Sequence, residues 1–366
     1  MGFEKGSVSF RMYFASRDLT VEDVDKFAAQ ALPPLSTLAE EEVHGWVAGR
    51  HLLDRTITEE NAFLGGYLRL TLTQAKKKVP TSLLQAECAV EEMAVMEAED
   101  KQYLNQQARS EIKKQVKERL LPDMPPQLKG IDFVFDERSH MIYASATSEK
   151  QVDAFVLSLM QTTGCGAEPA DPDTIAAKAE GVDIQNWGPA SFSDELEDGM
   201  VDGTAGREFL MWLWYCSEKR DGLVQVPDVG EIAYMVEGPL TFVMEGKGAH
   251  EITLKKGQPM LSAELKSALI SGKKLKKAKV QFARGEEVFE FTFDADEFIF
   301  RSLKLPQTEN FDRIGKFQER MVFMEAFRQC FFHLYQEFVK ERDDDKTWKK
   351  TKEAMRQWVA ERPTTA

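Results

Sequence analysis

The sequence predicts an α+β fold of antiparallel sheets and long helices. Two kinds of pattern carry the prediction. Short runs alternate apolar and polar residues, as a strand with one buried face does, and longer runs repeat apolar residues every three or four positions, as a helix with one buried stripe does. At 366 residues the chain is long enough for two domains, or for one large unit with an insertion.

Taken in order, Val8 to Phe14 and Tyr67 to Thr73 alternate and are expected as strands. Pro80, then Ser82 with Gln85 three residues on, is a helix-start signal. Helix formers follow to Leu121, where Pro122, Pro125 and Pro126 stop them. One continuous helix here would be about 60 Å long at about 1.5 Å per residue. Its apolar positions thin out between Asp100 and Gln107, so two helices are equally compatible with the pattern. Ile131 to Phe135 and Met141 to Ala146 read as a hairpin around Asp136 to Ser139, and Glu149 to Thr162 as the helix after it.

The stretch 164–206 is rich in Gly, Pro, Asp and Ala with weak periodicity, which predicts a linker or loosely built insertion between an N-terminal region 1–163 and a C-terminal region 207–366. Arg207 to Lys219 is dense in aromatics at helical spacing and reads as a core helix. Strands are expected at Glu231–Val236, Leu240–Met244, Lys279–Ala283 and Val288–Ile299. A helix is expected over Ser262–Ile270. The long terminal helix, Asp312 to Glu341, carries Phe317, Met321, Met324, Phe327, Phe331, Leu334 and Phe338 on one wide stripe, followed by a short helix with Trp348 and Trp358. Such a stripe serves either a core or a subunit contact.

Composition bounds the function. With 43% hydrophobic and 30% charged residues the chain has the make-up of a soluble globular protein, excluding collagen-like, coiled-coil-fibre and disulfide-stapled classes. The longest strongly apolar run, Phe209 to Tyr215, is seven residues, far below the roughly 18 a membrane span needs. The start, Met1 to Phe14, lacks the apolar core and cleavage site of a secretion signal, and Cys88, Cys165, Cys216 and Cys330 are scattered, so an intracellular protein with reduced thiols is expected.

The net charge of −14 argues against a nucleic-acid partner, but the charges are segregated. Glu168 to Glu208 holds eleven acids against Lys178 and Arg207. Ile252 to Arg284 holds nine basic residues, Lys255, Lys256, Lys266, Lys273, Lys274, Lys276, Lys277, Lys279 and Arg284, against Glu264 alone. The run 271–279 leads from the expected helix into a strand, so its ammoniums are expected to project from one loop, where they suit phosphate oxygens without reading sequence. Lys76, Lys77 and Lys78 form a smaller cluster.

Catalytic signals are poor. No HExxH, zinc spacing, nucleotide-binding glycine loop or GxSxG nucleophile turn occurs, and no metal or cofactor is implied. Asp294 and Asp296 would share a strand face and could hold Mg²⁺ in a nuclease, and Glu264 with Lys266 has the ExK spacing of some nuclease cores. The acidic stretch offers a further possibility, a module that docks a basic partner.

The order of these patterns resembles the RdgC family of recombination-associated DNA-binding proteins. The resemblance runs through Phe10–Phe14, Gly45-Trp46-Val47, the strand ending Lys78-Val79-Pro80 and Arg119-Leu120-Leu121-Pro122 to the hairpin and helix closing near Gly164. It resumes at Ile252–Lys256, Ser262–Leu265, Ile270–Lys273 and the terminal helix. It implies a non-enzymatic subunit that pairs at both ends into a ring-shaped homodimer, encircling double-stranded DNA without sequence preference and restraining a recombinase in the nucleoid of the cytoplasm. It places Lys255, Lys256 and Lys273 near the DNA path, and assigns the terminal helix, with Phe317, Met321, Met324, Phe327, Phe331 and Phe338, a dimer contact. Where the family offers a basic and an aromatic residue after Leu121-Pro122, this chain has Asp123 to Pro126.

Overall fold

The structure, a computed structural model, describes residues 2–35, 42–201, 203–244, 250–309 and 312–363. The chain forms two units: Met1–Asp18, Leu64–Tyr67 and Val134–Ala366 make the larger, Leu19–Phe63 and Leu68–Phe133 the smaller. The division therefore falls inside the expected N-terminal region.

In the smaller unit, helix α1 (Val21–Ala29) packs on strands β2 (Glu42–Ala48), β3 (Tyr67–Lys76) and β4 (Gln127–Asp136), which are neighbours in that order. Phe27, Trp46 and Phe133 meet there edge to face, with ring centroids 4.9 and 5.5 Å from Trp46. A one-turn helix α2 (Glu59–Ala62) precedes β3. The expected arm is two helices, α3 (Thr81–Ala98) and α4 (Gln106–Leu120), the second capped by Asn105, whose side chain accepts from the Ala108 amide at 2.8 Å. Cys88, Leu104, Ile112 and Val116 close a small core between them.

The larger unit is one antiparallel sheet with helices packed on it. Its strands are β1 (Val8–Ala15), β5 (Met141–Ala144), β6 (Ala167–Pro169), β7 (Leu223–Val226), β8 (Gly230–Met244), β9 (His250–Leu254), β10 (Lys274–Arg284), β11 (Glu287–Asp294) and β12 (Ile299–Lys304). They run in the order β5-β1-β12-β11-β10-β8-β7, with β6 beside β1 and β9 beside β8. The helices are α5 (Glu149–Thr163), α6 (Pro172–Glu180), α7 (Ala205–Lys219), α8 (Ala263–Ile270), α9 (Arg313–Asp343) and α10 (Asp345–Ala360). One face of the sheet is nearly all aromatic, Phe10, Phe282, Phe289, Phe291, Phe293 and Phe300, and is buried against α7 and α9.

Two expectations are corrected here. The stripe assigned to a dimer contact is core: Phe317, Met321, Met324, Phe327, Phe331 and Phe338 are at most 1% exposed. The chain's own sheet meets them, Phe327 with Phe291 and Phe300 at 5.0 and 5.1 Å and Phe331 with Phe300 at 4.8 Å, so the apolar demand of the helix is satisfied within one subunit. The exposed side of α9 carries Val322 and Ile314 instead. The stretch 164–206 is not a loose linker. It adds β6 and α6 to the larger unit and buries Ile175, Ile184 and Phe192 in the main core. Its polar composition is spent on local turns: Asp171 caps α6 through the Thr174 amide at 2.9 Å, and Asp183 accepts from the Gln185 amide at 3.1 Å.

Candidate nucleic-acid interface

The lysine segment begins where α8 ends. Ser262 caps that helix by accepting from the Leu265 amide at 3.2 Å. The chain then turns at Gly272, whose φ of +83° and close approach to Leu196 both call for glycine, and enters β10 at Lys274. The lysines therefore sit on a strand between two partners, and do not project together from a loop. Lys273 is only 5% exposed and donates to the Ser271 hydroxyl at 2.9 Å. Lys274 is 2% exposed and lies 3.1 Å from Glu208, a buried carboxylate of α7 that also accepts from Arg342 at 3.0 Å. Burial is the physical reason that neither is available as a free surface cation.

The remaining lysines of β10 are answered by carboxylates of neighbouring strands and turns. Lys276 lies 2.8 Å from Asp296, which Arg207 also grips at 2.6 and 2.8 Å. Burial pushes the Asp296 carboxyl up, but the hydrogen bonds from Arg207 and Lys276 outweigh it and hold it below its ordinary value. Lys277 pairs with Asp294, directly opposite it in the register, at 3.1 Å. Lys279 sits between Glu290 at 2.7 Å and Glu237 at 3.5 Å, while Lys304 reaches Glu290 from β12 at 2.6 Å. Hydrogen bonds from Lys279 and Lys304 hold the Glu290 carboxyl down to about 2. Arg284 bonds Glu287 at 2.7 Å, and Lys266 donates to the Arg362 carbonyl at 3.1 Å.

Lys255 and Lys256, just past β9, stand apart: both are exposed, and neither has an ion-pair partner among the described residues. In the smaller unit, Lys76 pairs with Glu42 at 2.5 Å, Lys77 donates to the Pro122 carbonyl at 2.9 Å, and Lys78 is exposed.

The candidate metal ligands are also engaged. Asp294 ends β11 and Asp296 lies in the following turn, so the two belong to different ion pairs rather than one face, and Glu264 is exposed on α8. Among the described residues no three His, Cys, Asp or Glu side chains converge as a metal site. No helix among them is long and apolar enough to cross a membrane. Sequence reasoning missed Glu208, Glu237 and Glu290, the acids that answer the lysines. Glu290 was visible as an outward position of an alternating strand, but its pairing needs the register.

Fold and site together define an α+β protein whose candidate surface is a lysine- and carboxylate-bearing sheet face. A family model described as "Putative exonuclease, RdgC" matches residues 9–179, from β1 to α6, and over that span the chain is similar to the RdgC family. No curated protein matches it.

Proposed function

We propose that this protein binds double-stranded DNA through its phosphates, without sequence preference, and acts in recombination as a nucleoid-associated cytoplasmic protein. The family match supports the recombination setting. The observation that carries the DNA reading is the exposed pair Lys255 and Lys256, two adjacent cations without an ion-pair partner among the described residues. Ring closure of a homodimer and restraint of a recombinase complete the reading. The subunit contacts lie elsewhere than on the buried stripe of α9.

Fluorescence anisotropy of labelled duplexes of unrelated sequence, at salt from about 50 to 200 mM, tests it. Replacing Lys255 and Lys256 together by Gln is expected to weaken binding roughly tenfold on every duplex alike and to flatten the log–log salt slope by about 1.8. Unchanged affinity would remove the DNA assignment from these two lysines. The same duplexes incubated with Mg²⁺ or Mn²⁺ are expected to remain intact, and shortening from an end would establish the exonuclease of the family's description instead.

A further inference from the structure

One face of the larger sheet is closed by aromatics; the other carries charged and polar residues of β8, β10, β11 and β12, with Met235 and Val288 also exposed. Antiparallel register places its side chains in rows. Lys279 stands opposite Thr292 on one side and Glu237 on the other, and Glu290 stands opposite Gln281 and Lys304. Successive outward residues of a strand, such as Lys277 and Lys279, are about 7 Å apart. Lys277, Lys279 and Lys304 therefore form a spaced set of ammoniums on a partly exposed face, and every one is held by a carboxylate of that face.

We infer that this sheet face is a second phosphate-binding surface of the proposed DNA contact, kept in check by its own acids, Glu237 and Glu290 above all. The inference rests on the DNA-binding reading. An ammonium 2.7 Å from a carboxylate already has the charge-assisted partner a phosphate would supply. Phosphate must therefore exchange with Glu237 and Glu290, so the face contributes little to affinity until those acids are displaced. Glu290 is the hub, because its two oxygens hold Lys279 and Lys304 separately, at 2.7 and 2.6 Å. Removing the two charges frees two lysines without altering the aromatic face that holds the sheet.

The test is duplex binding by the full chain carrying Glu237→Gln and Glu290→Gln, beside wild type and a control with Glu353→Gln and Glu361→Gln. The control residues are exposed on and just after α10, without an ion-pair partner among the described residues, so the change in net charge is the same but no lysine is released. The double variant is expected to bind about tenfold more tightly than wild type, with a salt slope steeper by about 1.8, while the control moves less than about twofold. Binding by the double variant where wild type shows none would overturn both, because the wild-type face then holds no duplex. If wild type binds and the double variant matches the control, the inference falls and the DNA-binding reading stands. If neither binds at the lowest salt, both fall.

Discussion

Phe327→Ala is expected to destabilise the protein by about 3–5 kcal/mol, by the same amount at every protein concentration. The ring is fully buried and lies within 6.3 Å, centroid to centroid, of Phe10, Phe282, Phe289, Phe291 and Phe300. Truncation leaves a void that five aromatic neighbours cannot close by rotamer change alone. The cost is then the lost transfer free energy together with the cavity. Val322→Ala on the opposite side of the same helix, 54% exposed, is expected to stay within about 0.5 kcal/mol. Urea unfolding of both variants at several protein concentrations separates the two roles of the stripe. Had these residues formed a subunit contact, Phe327→Ala would leave a stable monomer and remove any dependence of the midpoint on concentration that wild type shows.

Much of the fold was legible because it is local. Alternation placed β1, β3 and β11, and three- and four-residue steps placed α9, while the thinning of apolar residues near Asp100 left one helix or two open where the structure has α3 and α4. Long-range matters were not legible. A wide apolar stripe looks the same whether a second subunit or the chain's own sheet covers it, and only the topology, which brings β10, β11 and β12 under α9, decides. The charge count failed for the same reason. A sum along the chain gives the lysine segment a large positive charge, but Lys279 is answered by Glu237 and by Glu290 on the two neighbouring strands. Composition misled at 164–206, where residues typical of loops serve as caps for short helices whose apolar sides are buried. Lys255 and Lys256 are exposed in the turn that follows β9, a placement that depends on no strand register.

The buried charges that surround Lys274 lead to an asymmetric result. Glu208, 2% exposed, accepts from Lys274 at 3.1 Å, from Arg342 at 3.0 Å and from the Ala190 amide at 2.9 Å, so one carboxylate serves two cations and a backbone donor. Arg342 is further enclosed by Trp187 and Trp348, with its guanidinium 4.9 and 4.7 Å from the ring centres. Glu208→Gln keeps the shape but leaves two buried cations facing each other without their shared anion. Breaking a buried pair in this way costs about 3–5 kcal/mol. Lys274→Met removes one cation, leaves Glu208 and Arg342 as a balanced pair, and replaces a buried ammonium by an apolar chain of similar length, so its cost is expected to be about 1 kcal/mol or less. In the double variant Lys274→Met restores part of what Glu208→Gln loses, giving a coupling energy of about 1–3 kcal/mol in a double-mutant cycle. Equal losses for the two single variants would show that the triad is not organised around its carboxylate. Lys274→Met also separates structure from binding: a folded variant with wild-type affinity for duplex DNA shows that this cation of the lysine run does not contact phosphate.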